Sequence, residues 1–116
     1  MPMKILVVED ESMIALLMED FVTDLGHEVA ATAMRLPEAL EIASQAEIDF
    51  AILDVNLAGA VSFPVSDILA RRGVPHIFAT GYGSAAVTPP YSDRIILHKP
   101  VRLADLSRAI EAASQA

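Results

Sequence analysis

The chain has 116 residues, of which 53% are hydrophobic and 5% aromatic, with no cysteine. That length gives one sizeable, aliphatic core, and the composition excludes a disordered chain, a disulfide scaffold, a thiolate metal site and a cysteine nucleophile. Sixteen acidic against eight basic side chains leave a net charge of −8, which excludes a sequence-independent binder of nucleic-acid phosphates, because such binding needs clustered Lys and Arg.

In chain order, Ile5-Leu6-Val7-Val8 is a short continuous apolar run rich in β-branched residues, the pattern of a buried parallel strand. From Ser12 the period becomes helical, with Ile14, Leu17, Met18, Phe21 and Leu25 forming the core stripe and Gly26 closing the helix. Glu28 to Ala33 reads as a second strand. Leu36 to Gln45 reads as a helix that tolerates Pro37 in its first turn. Phe50-Ala51-Ile52-Leu53 is a third strand ending on Asp54, and Val65 to Arg72 a helix closed by Gly73. His76 to Ala79 is a fourth strand ending in Thr80-Gly81, and Arg94 to His98 a fifth ending in Lys99-Pro100. Leu103 to Ala113 is the last helix. Ser84 to Asp93 carries Pro89-Pro90 and little helical patterning, so a fourth helix is expected to be short or irregular. This alternation predicts an α/β fold, a doubly wound parallel sheet with helices on both faces.

The apolar stretches are strand-length and are interrupted by charges such as Asp54 and Lys99, so none is expected to span a membrane. The apolar run after Lys4 is too short for a signal peptide and meets Glu9-Asp10-Glu11. The expectation is one domain over residues 1–116, cytoplasmic, binding neither membrane nor nucleic acid.

In such sheets ligands bind beyond the carboxyl ends of the strands. The polar residues there are Glu9 and Asp10 after strand one, Asp54 after strand three, Thr80 after strand four and Lys99 after strand five. They converge if strands one, three, four and five are neighbours in that order. Three carboxylates together repel one another, and a hard divalent cation, Mg²⁺ or Mn²⁺, relieves this. An ammonium and a hydroxyl beside them suit a phosphoryl group, with the central carboxylate as nucleophile. Singly, each has a plain structural reading: Glu9 and Asp10 as acids at a helix start, Asp54 as a turn residue, Thr80-Gly81 as a turn and Lys99 as a surface lysine. The coincidence of all five at strand ends favours a site.

Val8-Glu9-Asp10, Leu53-Asp54-Val55-Asn56-Leu57, Ala79-Thr80-Gly81 and Lys99-Pro100, in that order and at those intervals, resemble a response-regulator receiver domain over essentially the whole chain. The resemblance implies a flavodoxin-like (βα)₅ sheet of order 2-1-3-4-5. It implies that Asp54 accepts a phosphoryl group from a histidine kinase or histidine phosphotransfer protein. It further implies that Glu9, Asp10, Asp54 and the backbone carbonyl of Asn56 hold Mg²⁺, that Thr80 and Lys99 bind the phosphoryl oxygens, and that the Lys99-Pro100 bond is cis. The position three residues before Lys99, aromatic in most receivers, is Ile96. With Phe78-Ala79-Thr80-Gly81-Tyr82 this is similar to a branch of bacterial, often stand-alone receivers that lack the aromatic switch. Activation is then expected to order the poorly helical segment Gly81 to Asp93, whose amides exchange fast beforehand, rather than to flip a ring. Asn56 and Tyr82 flank the pocket, where such residues influence the acyl-phosphate's lifetime. Met13 and Leu16, with Pro100 and Val101, lie where receivers dock their phosphodonor. His27, His76 and His98 share no spacing and read as structural. The rivals are a pseudo-receiver that is never phosphorylated and a small-molecule phosphohydrolase. A flavodoxin-like nucleotide binder lacks its Gly-rich loop after strand one.

Overall fold

The computed structural model describes residues 2–81 and 87–114. The elements are β1 (Lys4–Val8), α1 (Ser12–Asp24), β2 (Glu28–Ala33), α2 (Leu36–Gln45), β3 (Phe50–Asp54), β4 (Asn56–Leu57), β5 (Ala60–Val61), α3 (Phe63–Arg71), β6 (His76–Thr80), β7 (Ile96–His98) and α4 (Leu103–Ser114). Five parallel strands form one sheet in the order β2-β1-β3-β6-β7. This is the doubly wound order that the sequence implies, with β6 and β7 as its fourth and fifth strands.

The unbroken apolar runs have a simple cause. Successive side chains of a strand face opposite sides of the sheet, and here both sides are covered. Leu6 and Val8 of β1, Ala51 and Leu53 of β3 and Phe78 of β6 pack with Ala39 and Ala43 of α2 and Val65 and Leu69 of α3. Ile5 and Val7, Phe50 and Ile52, and Ile77 and Ala79 pack with Met18 and Val22 of α1 and Leu106 and Ile110 of α4. Gly26 and Gly73 end their helices at φ of 86° and 71°, a left-handed backbone that costs glycine little.

Several expectations are corrected. Leu17 is 42% exposed and lies off the core stripe, which runs through Ala15, Met18 and Val22. A helix turns about 100° per residue, which puts Leu17 at the edge of the face centred on Met18. Val101 is buried in the core, whereas Pro100 is exposed. Helix α3 begins at Phe63 rather than Val65, with Pro64 in its first turn. The last strand of the sheet is Ile96–His98, shorter than Arg94 to His98. The hairpin of β4 and β5 is absent from the sequence reading, because two-residue strands carry no period.

The expected irregular fourth helix lies partly on residues 82–86, outside the described residues, as does Tyr82. From Val87 the described part of the segment is packed on the fold, with backbone hydrogen bonds on the amides of Tyr91 to Arg94. Val87 is buried, and Tyr91–Asp93 forms a 3₁₀ turn with the Tyr91 N–H donating to the Thr88 carbonyl at 2.9 Å. The Tyr91 ring stacks on Phe63 with centroids 4.2 Å apart, and its hydroxyl donates to Asp67 at 3.2 Å.

Candidate functional site

Period two places the site residues. Glu9 continues the alternation of Ile5 and Val7, and Asp54 that of Phe50 and Ile52, both on the α1/α4 side of the sheet. Lys99 follows Ile95 and Leu97 in the same way, while Thr80 follows His76 and Phe78 on the other parity. The adjacency β1-β3-β6-β7 then brings the strand ends side by side. The Lys99 N–H donates to the Thr80 carbonyl at 2.9 Å, and the Val55 N–H to the Ala79 carbonyl at 3.1 Å. The Lys99-Pro100 bond is cis.

The structure brings Glu9, Asp10, Asp54, Thr80 and Lys99 to the carboxyl end of the sheet, beside a cavity of about 420 Å³ lined by Asp10, Asp54, Asn56, Gly59, Gly81 and Lys99. Glu9, Asp54 and Thr80 are buried. One carboxylate oxygen from each of Glu9, Asp10 and Asp54 lies within 4.8 Å of the others. The Lys99 ammonium reaches Glu9 Oε1 at 2.7 Å and Asp54 Oδ2 at 3.3 Å. The Glu9 carboxylate also accepts the Glu11 N–H at 3.1 Å.

Three acids against one ammonium leave an excess of negative charge in a poorly solvated place. Burial and the neighbouring Glu9 charge push the Asp54 carboxyl up to about 8, against the opposing pull of Lys99. Burial would raise Asp10 too, but hydrogen bonding with Asp54 and from the Ala58 N–H holds it below the usual carboxylate value. For Lys99, burial works against the charged form, yet the bond to Glu9 and the charge of Asp54 raise its pKa above the ordinary lysine value. Perturbations of this kind mark sites poised for a ligand. The donor set is all hard oxygen, clustered and facing a cavity, and it fits a divalent cation of the Mg²⁺ class.

The Asn56 side chain accepts the Gly59 N–H at 3.0 Å, inside the β4–β5 turn. His27 accepts the Met3 N–H through Nδ1 at 3.0 Å. His76 is buried, with Nε2 2.6 Å from Ser66 Oγ and Nδ1 2.9 Å from the Val74 carbonyl. Sequence reasoning missed two features. One is the Ser66–His76 pair, which no local pattern signals. The other is the contact of the Ala58 N–H with Asp10, at 3.1 Å across 48 residues, whose only trace is Gly59 in a two-residue link. Among the described residues no helix is long and apolar enough to cross a membrane.

The chain is similar to known proteins over nearly its whole length. The chain is 36% identical to the phyllosphere-induced regulator PhyR of Methylorubrum extorquens over 117 residues, covering 97% of this chain and 44% of that protein. It spans about half the length of the curated relatives it matches. The solution structure of SdrG from Sphingomonas melonis Fr1 superposes with a TM-score of 0.88 at 39% identity, over 99% of this chain and 98% of that one. The BeF3-activated conformation of SdrG superposes at 0.80, over 94% and 93%. The family description "response regulator receiver domain" matches residues 5–111, and the chain belongs to the response-regulator receiver family.

Proposed function

We propose that residues 1–116 form a single receiver domain whose Asp54 accepts a phosphoryl group from a phosphohistidine on a histidine kinase or phosphotransfer protein. The observation that carries this reading is the sharing of the Lys99 ammonium between Glu9 and Asp54, within a three-carboxylate cluster. The near-complete overlap with the SdrG chain supports the domain unit. In the transfer an Asp54 carboxylate oxygen bonds to phosphorus as the donor's P–N bond breaks, and the electron pair leaves with the imidazole. Glu9, Asp10, Asp54 and the Asn56 backbone carbonyl would hold Mg²⁺, which when bound neutralises the carboxylates and the arriving phosphoryl oxygens. Lys99, already 3.3 Å from Asp54, needs only a short swing to pair with the new oxygens. Thr80, buried at the end of β6, supplies a hydroxyl to one of them.

The donor docks on the face of α1 that carries Met13, 79% exposed, with Leu16 and Leu17 beside it, an apolar patch next to the site. With Ile96 at the usual switch position, the output passes through the segment that follows Thr80 and changes affinity for a protein partner.

Intact-mass analysis after acetyl phosphate and Mg²⁺ tests the reading. One added phosphoryl is expected, and none in Asp54→Asn. Equal labelling of that variant overturns the assignment of Asp54. No labelling of either protein makes the chain a pseudo-receiver that acts by binding alone.

A further inference from the structure

The segment Asn56-Leu57-Ala58-Gly59-Ala60-Val61 folds into an antiparallel hairpin, with Asn56 opposite Val61 and Leu57 opposite Ala60. Both turn residues are left-handed, Ala58 at φ 53° and Gly59 at φ 88°. A two-residue turn of this hand matches the twist of the strands, but it suits Gly or Asn and strains alanine. The surroundings hold it nonetheless. The Gly59 N–H donates to Asn56 Oδ1 at 3.0 Å, the Ser62 N–H closes the base on the Val55 carbonyl at 2.9 Å, and Leu57 is buried in the α2/α3 core. At the tip, the strained Ala58 donates its N–H to Asp10 Oδ2 at 3.1 Å.

We propose that this hairpin is a positioning element for Asp10, with the Ala58 N–H holding its carboxylate in the cluster with Glu9 and Asp54. Asp10 is the least buried of the three acids and borders the cavity. Lys99 pairs with Glu9 and Asp54, so Asp10 is held by its hydrogen bond with Asp54 and, from outside the cluster, by the Ala58 amide. The direction of that N–H is fixed by the left-handed turn, so the backbone conformation of residues 58 and 59 sets where Asp10 sits. The expected consequence for Mg²⁺ affinity rests on the cation site proposed above.

Two substitutions separate turn geometry from everything else. A Cβ on Gly59 meets nothing within 4 Å, so Gly59→Ala acts only through its positive φ. Ala58→Gly relieves the strain and keeps the N–H. Amide exchange by NMR on the full chain without Mg²⁺ should show the Ala58 N–H exchanging about tenfold faster in Asp10→Ala and in Gly59→Ala, with β1 and β3 amides unchanged. Titration with Mg²⁺ should then give an affinity about threefold or more weaker in Gly59→Ala, and within about twofold of wild type in Ala58→Gly. An Ala58 amide equally protected in Asp10→Ala overturns the proposal. So does a Gly59→Ala chain that frees the amide yet binds Mg²⁺ as wild type does. A wild-type chain that binds no Mg²⁺ overturns the cation reading instead, and the exchange measurements still decide the role of the hairpin.

Discussion

At the amino end of β6, His76 is 2% exposed and each ring nitrogen has one partner, Ser66 Oγ at 2.6 Å and the Val74 carbonyl at 2.9 Å. At the carboxyl ends of β1 and β3, Glu9 and Asp54 are almost as deeply buried, yet both draw on the ammonium of Lys99, with Asp10 alongside. The histidine is a closed arrangement. Nδ1–H donates to a carbonyl, Nε2 accepts the serine hydroxyl, and burial holds the ring below its ordinary pKa, with Arg94 adding to the shift and the Val74 bond opposing it. The carboxylates are an open arrangement, with more negative charge than the protein itself neutralises. The sheet therefore carries a fully partnered polar group at the amino end of β6 and an acidic cluster with excess negative charge at the carboxyl ends of β1 and β3.

The contrast gives opposite signs on mutation. Ser66→Ala leaves the buried His76 Nε2 without its donor and should cost about 1–3 kcal/mol in urea unfolding. An unchanged midpoint would mean that the ring finds another partner. Asp54→Asn should do the reverse. Without Mg²⁺ it removes a carboxylate that burial and Glu9 disfavour, and stability should rise by about 1 kcal/mol, allowing for solvent screening at the cavity and the loss of the Lys99 contact. Added Mg²⁺ should narrow that difference by stabilising the wild type alone. A destabilised Asp54→Asn would show that the cluster is satisfied after all.

The histidine end should also make stability depend on pH. The folded ring titrates below the ordinary 6.5, so its contribution is complete above pH 6.5 and is lost as pH falls through the folded value. Urea midpoints at successive pH values should show this loss, and His76→Gln should lack that component. The smallest effect belongs to Tyr91→Phe. The stack on Phe63 survives and the exposed bond to Asp67 goes, so thermal unfolding should be indistinguishable from wild type. A clear shift would show that the hydroxyl, rather than the ring, pins the segment after β6.

The sequence alone determined where the strands and helices lie, because burial of a strand on both faces forces an unbroken apolar run and a surface helix forces a stripe. Ile5 to Val8, Phe50 to Leu53 and His76 to Ala79 are local patterns of this kind, and the polar residues at their ends are legible for the same reason. The family motifs added the strand order. What only the tertiary structure decided depends on groups far apart in the chain. Lys99 reaches Glu9 across 90 positions because β7 lies beside β6, and no periodicity in either segment encodes that distance. The exposure of Leu17 and the burial of Val101 follow from how α1 and the loop after β7 sit on the sheet. The bond from Ala58 to Asp10 depends on two left-handed residues, one of them an alanine that no local preference would place there. Propensity and period act over a few residues, whereas a site is assembled by register, strand order and the packing that overrides a locally unfavourable backbone.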